Sequence, residues 1–298
     1  MIRAPLTIPP EIRARLKRLS LATRRRSALY SFGVQASRNK GTGLEFAQYR
    51  AYEPGDEPRR IDWKLFARSD RFFVREAEAE SPVAVWILLD ATASMAQADR
   101  ARPDWSRFDA ARLLSLCVAE LATAQGDRFG WAVLAEAAFS VADPRSGRAQ
   151  AGRMQVEFSR LVPGGGFPDH AIIAPLWHRI GPHDLVVFIS DCFDDRGIAV
   201  IERLAKAGRE VLAIQVLTAE ERDFPFHGGF RFRDQETGNE LVSDGAAMRE
   251  SFLAHFAAAR AALHERLEHA GIRHATLFID EAIDRPLHAL FGHGAGAA

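Results

Sequence analysis

In the run WILLDATASM, Trp86 to Met95, an apolar stretch ends on an aspartate and hydroxyls follow at alternate positions, so Asp90, Thr92 and Ser94 offer three oxygens at i, i+2 and i+4. Three chemistries use such a pattern. A hard divalent cation such as Mg²⁺ or Mn²⁺ takes about six oxygens from carboxylates, hydroxyls and water. A metal-dependent phosphohydrolase would use Asp90 as its nucleophile. A plain strand end would use Thr92 or Ser94 to cap the helix behind it. Asp191 closes a second apolar run, LVVFISD. Two strands of the same kind that bring carboxylates to one edge weigh toward the cation and against the bare cap.

The elements that must position these residues are legible in the hydrophobic pattern. PVAVWILLD and DLVVFISD are continuous apolar runs, as expected of strands buried on both faces of a parallel sheet. RFDAARLLSLCVAELATAQG has helical spacing and a stop at Gly126. DRFGWAVLAEAAFSVAD reads as one or two strands. GRMQVEFSRLV and HAIIAPLWHRIG read as helices on either side of PGGGFPD. RGIAVIERLAKAGR is a helix, EVLAIQVLT a strand, residues 246–270 a long helix, and RHATLFID a strand. This alternation predicts an α/β fold, a doubly wound, mostly parallel sheet with helices on both faces. FRFRDQETGNELVSD reads as an inserted β-hairpin. Ligands of such sheets bind beyond the carboxyl ends of the strands. Asp90, the loop Gly164-Gly165-Gly166 and Asp191 are therefore expected to converge there.

The 298 residues are 47% hydrophobic and 26% charged with a formal net charge of +0, a composition that supports a full core and argues against disorder. Cys117 and Cys192 stand in no CxxC or zinc spacing and fit a reducing compartment. His255, His264 and His269 stand at no i, i+4 spacing on the long helix, which argues against a metal cluster there. The longest apolar run, Val83 to Leu89, falls far short of the ~20 residues of a membrane span. With no apolar stretch behind the N-terminal basic residues, no signal peptide and a cytoplasmic location are expected. Residues 1–40 hold ten basic residues against Glu11 alone, a balance of +9. Such an arm suits an acidic partner, a nucleic acid or an anionic membrane surface in peripheral contact. It also suits an amphipathic helix with Ile12, Leu16 and Leu19 on its buried side, held down by the acidic remainder of the chain.

Upstream of the first strand, Gly41 to Glu80 resembles the signature of the bacterial domain-of-unknown-function 58 family. The resemblance is carried by Glu45, Arg50, Tyr52, Pro54, Gly55, Asp56, Arg59, Asp62, Trp63 and Arg68 in order. DATASM is similar to the first metal loop of von Willebrand factor type A domains, and that family joins its signature to a domain of this type. The resemblance implies residues 1–80 as a basic helix and signature segment, and 81–298 as the type A-like α/β domain. It implies a metal-ion-dependent adhesion site in which Asp90, Thr92 and Ser94 supply the first loop and Asp191 the third. The second loop departs from the pattern: where a threonine is expected the chain has Phe167-Pro168-Asp169. Asp169 would have to serve as a substitute carboxylate, or else begin the next helix.

The same resemblance implies a non-enzymatic interaction module that works beside a MoxR-type AAA+ ATPase in the assembly or activation of client proteins. The competing readings meet obstacles in the residues. A phosphoaspartate enzyme of the haloacid-dehalogenase kind asks for a second aspartate where Thr92 stands, and Ser94 lacks a GxSxG elbow. In the signature segment Arg50, Arg59 and Arg68 alternate with Glu45, Asp56 and Asp62, which argues against a nucleic-acid groove. Trp63, Phe66, Phe72 and Phe73 supply its anchors.

Overall fold

Asp90 ends one strand of a sheet and Asp191 directly follows the strand beside it. The computed structural model describes residues 6–21, 46–52, 61–77, 84–182, 184–233 and 240–292. The chain divides into two compact units, one made of Met1–Ala28 with Val83–Ala298 and the other of Leu29–Pro82. Helix α1 (Pro10–Leu16) therefore goes with the α/β unit. The division drawn at residue 80 from the sequence differs here, because Ile12, Leu16, Leu19 and Leu21 are buried in the larger unit's core.

In the smaller unit, β1 (Phe46–Ala51) and β2 (Phe73–Ala77) pair antiparallel around α2 (Trp63–Ser69). Asp62 caps α2, accepting from the amides of Lys64 and Leu65 at 2.9 and 3.1 Å. Phe66 and Phe72 stack with centroids 4.5 Å apart, and Trp63 and Tyr52 pack on Phe72. Of the signature residues, Glu45, Pro54, Gly55, Asp56 and Arg59 lie outside the described residues.

The larger unit continues with β3 (Ala84–Asp90), a 3₁₀ turn (Ala93–Ala96) and α3 (Arg107–Gln125). Next come β4 (Arg128–Leu134), β5 (Ser140–Arg145) and α4 (Arg148–Arg160). Then follow α5 (His170–Ile173), α6 (Leu176–Arg179), β6 (Leu185–Ser190), α7 (Asp195–Lys206), β7 (Glu210–Leu217) and α8 (Ala219–Asp223). The hairpin β8 (Gly229–Arg233) with β9 (Glu240–Asp244), α9 (Gly245–His269), β10 (Arg273–Phe278) and α10 (Arg285–Phe291) complete it. HAIIAPLWHRIG, expected as one helix, is broken at Pro175, whose nitrogen has no hydrogen to donate. Among the described residues, no helix is long and apolar enough to cross a membrane.

The sheet order is β10-β7-β6-β3-β4-β5, parallel throughout except for β5. Val85, Ile87 and Leu89 enter one core while Ala84, Trp86 and Leu88 enter the other, so β3 is buried on both faces. Gly130 lets β5 come close, since a Cβ there would stand 2.5 Å from the carbonyl oxygen of Ala142. Helix α3 opens with a capping box between Ser106 and Asp109 and stops at Gly126, φ 77°.

Helix α1 joins the first of these cores. Its charged face is tied down as well: Arg13 pairs with Glu120 at 3.1 Å, and Arg15 grips Asp284 in a fork of 2.6 and 2.7 Å. That fork holds the Asp284 carboxyl below the usual aspartate range. Leu16→Ala is expected to destabilise the protein by about 2–4 kcal/mol, the cost of a core cavity, whereas Arg18→Ala should change stability by less than about 0.5 kcal/mol. Urea unfolding of the two variants checks this, and equal effects would place the helix off the core.

Candidate functional site

The chain leaves β3 toward β4 and leaves β6 toward β7 in the opposite direction, so a crevice opens between the carboxyl ends of β3 and β6. Asp90 ends β3 and Ser190 ends β6, and the two meet there. The Ser190 hydroxyl donates to Asp90 Oδ2 at 2.6 Å. Asp90 Oδ1 accepts from the Thr92 amide at 2.9 Å and from the Thr92 hydroxyl at 2.7 Å. Thr92 Oγ1 and Ser94 Oγ lie 3.1 Å apart. The first loop is thus a closed Asx-turn with its hydroxyls in line.

Backbone hydrogen bonds fasten the second loop to the first. The Gly164 amide donates to the Ala91 carbonyl and the Ala93 amide to the Gly165 carbonyl, both at 2.9 Å. Gly165 takes φ 72°, which a glycine adopts without strain. Phe167 is wholly buried in the second core. Asp169 takes the N-cap position of α5 without a side-chain cap, and its side chain is 78% exposed with Arg196 3.9 Å away. Asp169 thus begins the next helix, one of its two expected roles, although its side chain makes no cap hydrogen bond. The Phe167 ring fixes the loop from inside and leaves Asp169 pointing at solvent.

In the third loop, Asp191 is buried: its Oδ1 accepts from the Phe193 amide at 3.1 Å and its carbonyl from Gln215 Nε2 at 3.1 Å. Cys192 adopts φ 62° and donates its amide to Ser190 Oγ at 2.9 Å. Burial pushes its thiol well above the ordinary range, and the Asp191 and Asp90 charges add to that. It is a packing residue and not a nucleophile.

Three contributors were not read from the sequence. Ser190 bridges the first and third loops. Arg107, the first residue of α3 and only 3% exposed, donates through Nη1 to Asp191 Oδ2 at 2.9 Å and to the Ser94 carbonyl at 3.2 Å. Its Nη2 bonds Glu221, whose other oxygen caps α8 by accepting from the Thr218 amide and hydroxyl at 2.8 and 2.9 Å. The Arg107 guanidinium also lies 5.0 Å from the centre of the Phe193 ring. A signal for Arg107 did exist: the helix after β3 must begin at the same edge as Asp90, and an arginine opens it.

The structure therefore brings Asp90, Thr92, Ser94 and Asp191 together and leaves Asp169 out. The two hydroxyls have the separation of neighbouring ligands on an octahedral ion with bonds of about 2.0–2.1 Å. The fit stops at the first loop. The second offers the buried Phe167 and Pro168, and the Asp191 carboxylate is already bound to a guanidinium. Among the described residues, no group of three or more His, Cys, Asp or Glu side chains is placed to hold a metal ion. The five-oxygen set of an adhesion-type site is not met.

Burial raises the Asp90 carboxyl from its ordinary 3.8 to about 7; the Asp191 charge adds to this, while the hydrogen bonds from Ser190 and Thr92 oppose it. Between these values the folded state binds the proton that the unfolded state has lost. The stability that Asp90 contributes is thus fully present below about 4 and disappears as pH rises through about 7. Asparagine keeps the acceptor for Thr92 and does not titrate. The stability of Asp90→Asn relative to wild type should accordingly increase between pH 5 and pH 8. Paired urea unfolding curves at the two pH values test this, and a difference that stays constant or shrinks would show that Asp90 is charged throughout.

The chain is similar to several solved structures. They include the conserved hypothetical protein BatB from Bacteroides thetaiotaomicron (16% identity, 66% of this chain and 90% of that one, TM-score 0.40). An aerotolerance-related membrane protein from Bacteroides fragilis matches at 18% identity over 69% and 97%, with a TM-score of 0.45. The SpRpn10 VWA domain matches at 15% identity over 72% and 98%, with a TM-score of 0.41. In sequence it is 28% identical over 257 residues to uncharacterized proteins of Mycobacterium bovis and Mycobacterium tuberculosis, spanning 85% of this chain and 80% of each relative. Residues 48–262, most of the chain, match the family described as Protein of unknown function DUF58, and the chain belongs to that family.

Proposed function

We propose that this chain is a non-enzymatic protein-interaction module that receives its partner on the carboxyl edge of the sheet. The observation that carries the reading is a pair of exposed apolar side chains beside a polar floor whose groups bond mainly to one another. Phe193, just after Asp191, is 52% exposed, and Val162, just before the triple glycine, is 70% exposed. Large apolar side chains kept in water at the ligand-binding edge of a doubly wound sheet suit a protein surface that buries them on contact. Aromatic residues such as Phe193 are the usual anchors of such contacts.

Asp90 is poorly placed as a nucleophile. Both its oxygens accept hydrogen bonds from neighbours, it is buried, and Thr92 occupies the position from which a second carboxyl would donate a proton. The pairing of Arg13 and Arg15 within the α/β unit lowers the charge that the N-terminal segment offers to a polyanion. A MoxR-type AAA+ ATPase, acting on a client protein in complex assembly or activation, is the partner that the signature of residues 41–80 implies.

The reading is tested by measuring binding of the purified protein to a purified MoxR-type ATPase from the same genome. A double variant, Phe193→Ala with Val162→Asp, is expected to keep its melting temperature within about 2 °C, as exposed substitutions do, and to weaken binding at least about tenfold, as loss of interface anchors does. Val156→Asp, exposed on α4, serves as the control. Unchanged binding by the double variant would move the contact away from this edge, and no binding by wild type would remove the ATPase as partner.

A further inference from the structure

The three-loop edge has the form of a cation site, and a cation is already in it. We infer that the Arg107 guanidinium takes the place of a divalent ion, so that the edge is cross-linked by a resident side chain and is built to work without metal. In an adhesion-type site the ion ties the first loop to the third. Here Arg107 Nη1 makes that tie, donating to the Ser94 carbonyl at 3.2 Å and to Asp191 Oδ2 at 2.9 Å.

The surrounding residues hold this arrangement. Glu221 bonds Nη2 while its second oxygen is committed to the start of α8, so the guanidinium is also anchored to the helix that follows β7. The second loop cannot supply a replacement ligand by a small rearrangement. The Phe167 ring is wholly buried, and the missing Cβ of Gly197 would stand 3.2 Å from both Phe167 and Phe188, which shows how tightly the ring is enclosed. A divalent ion on Thr92 and Ser94 would sit beside a buried monocation in a medium that screens poorly, with one of its carboxylates already neutralised. A planar fork suits this place better than an ammonium would, because it meets a carbonyl, an aspartate and a glutamate from a fixed geometry.

The inference concerns the same edge as the proposed partner contact, but its test uses the protein alone, so either can fail while the other stands. MgCl₂ and MnCl₂ are titrated calorimetrically into wild type, and melting temperatures are compared in EDTA and in excess metal. Wild type is expected to give no heat and a melting temperature that agrees within about 1 °C, since a ligand that does not bind the folded state cannot shift it. Arg107→Met, which keeps the bulk and removes the charge, is expected to melt lower and to gain a Mn²⁺-dependent rise of several degrees. That gain would show the ion entering the vacated place.

A wild-type response that Asp90→Asn abolishes would overturn the inference, whereas a response that survives Asp90→Asn arises elsewhere and counts as silence of this site. Silence in both wild type and a folded Arg107→Met protein would also overturn it, because the guanidinium would then not stand where an ion binds. If Arg107→Met does not fold with or without Mn²⁺, the wild-type titration decides alone.

Discussion

A guanidinium buried as deeply as Arg107 needs acceptors within the protein, and leaving a buried charge unpaired costs roughly 3–5 kcal/mol. Its acceptors come from the turn after β3, the loop after β6 and the helix after β7, at Ser94, Asp191 and Glu221. One side chain thereby fixes the relative position of three loops that the sheet alone would only bring near each other. The same region is stapled a second time: Asp99 accepts from the Ala219 and Glu220 amides at 3.2 and 2.9 Å, and Arg100 pairs with Glu220 at 3.0 Å. The short helix α8 is thus capped by two carboxylates, one from its own first turn and one from the loop before α3. A five-residue helix gains little from its own hydrogen bonds, and these caps account for its place in the fold.

The two central strands were legible because burial on both faces leaves them almost wholly apolar. PVAVWILLD and DLVVFISD could hardly be anything else, and their parallel direction followed from the alternation with helices. The amphipathic N-terminal helix was equally readable from Ile12, Leu16 and Leu19, but its destination was not. That Arg15 reaches Asp284 across 269 positions is a tertiary fact with no local trace. Pro175 was the one local sign that divides HAIIAPLWHRIG, since an interior proline removes a donor.

At the edge, the sequence yielded the residues that lie close in the chain and missed those that meet by folding. Asp90, Thr92 and Ser94 form a pattern within five positions. Arg107 and Asp191 stand 84 positions apart, and Ser190 was overshadowed by its neighbour although it makes the shortest bond to Asp90. The missing threonine of the second loop was visible from the sequence. The tie between the first and third loops was not, because it is made by Arg107, a side chain from another element.

The division of the chain carries a consequence for how Leu29–Pro82 is attached. Since Met1–Ala28 belongs with Val83–Ala298, the smaller unit is an insertion with both ends covalently anchored, not a leader ahead of a domain. The entropy of closing such a loop rises only with the logarithm of its length, by about 0.6 kcal/mol per doubling. Over evolutionary time this unit can therefore grow, shrink or be exchanged at small thermodynamic cost to the sheet, while the helix that precedes it stays bound to the core.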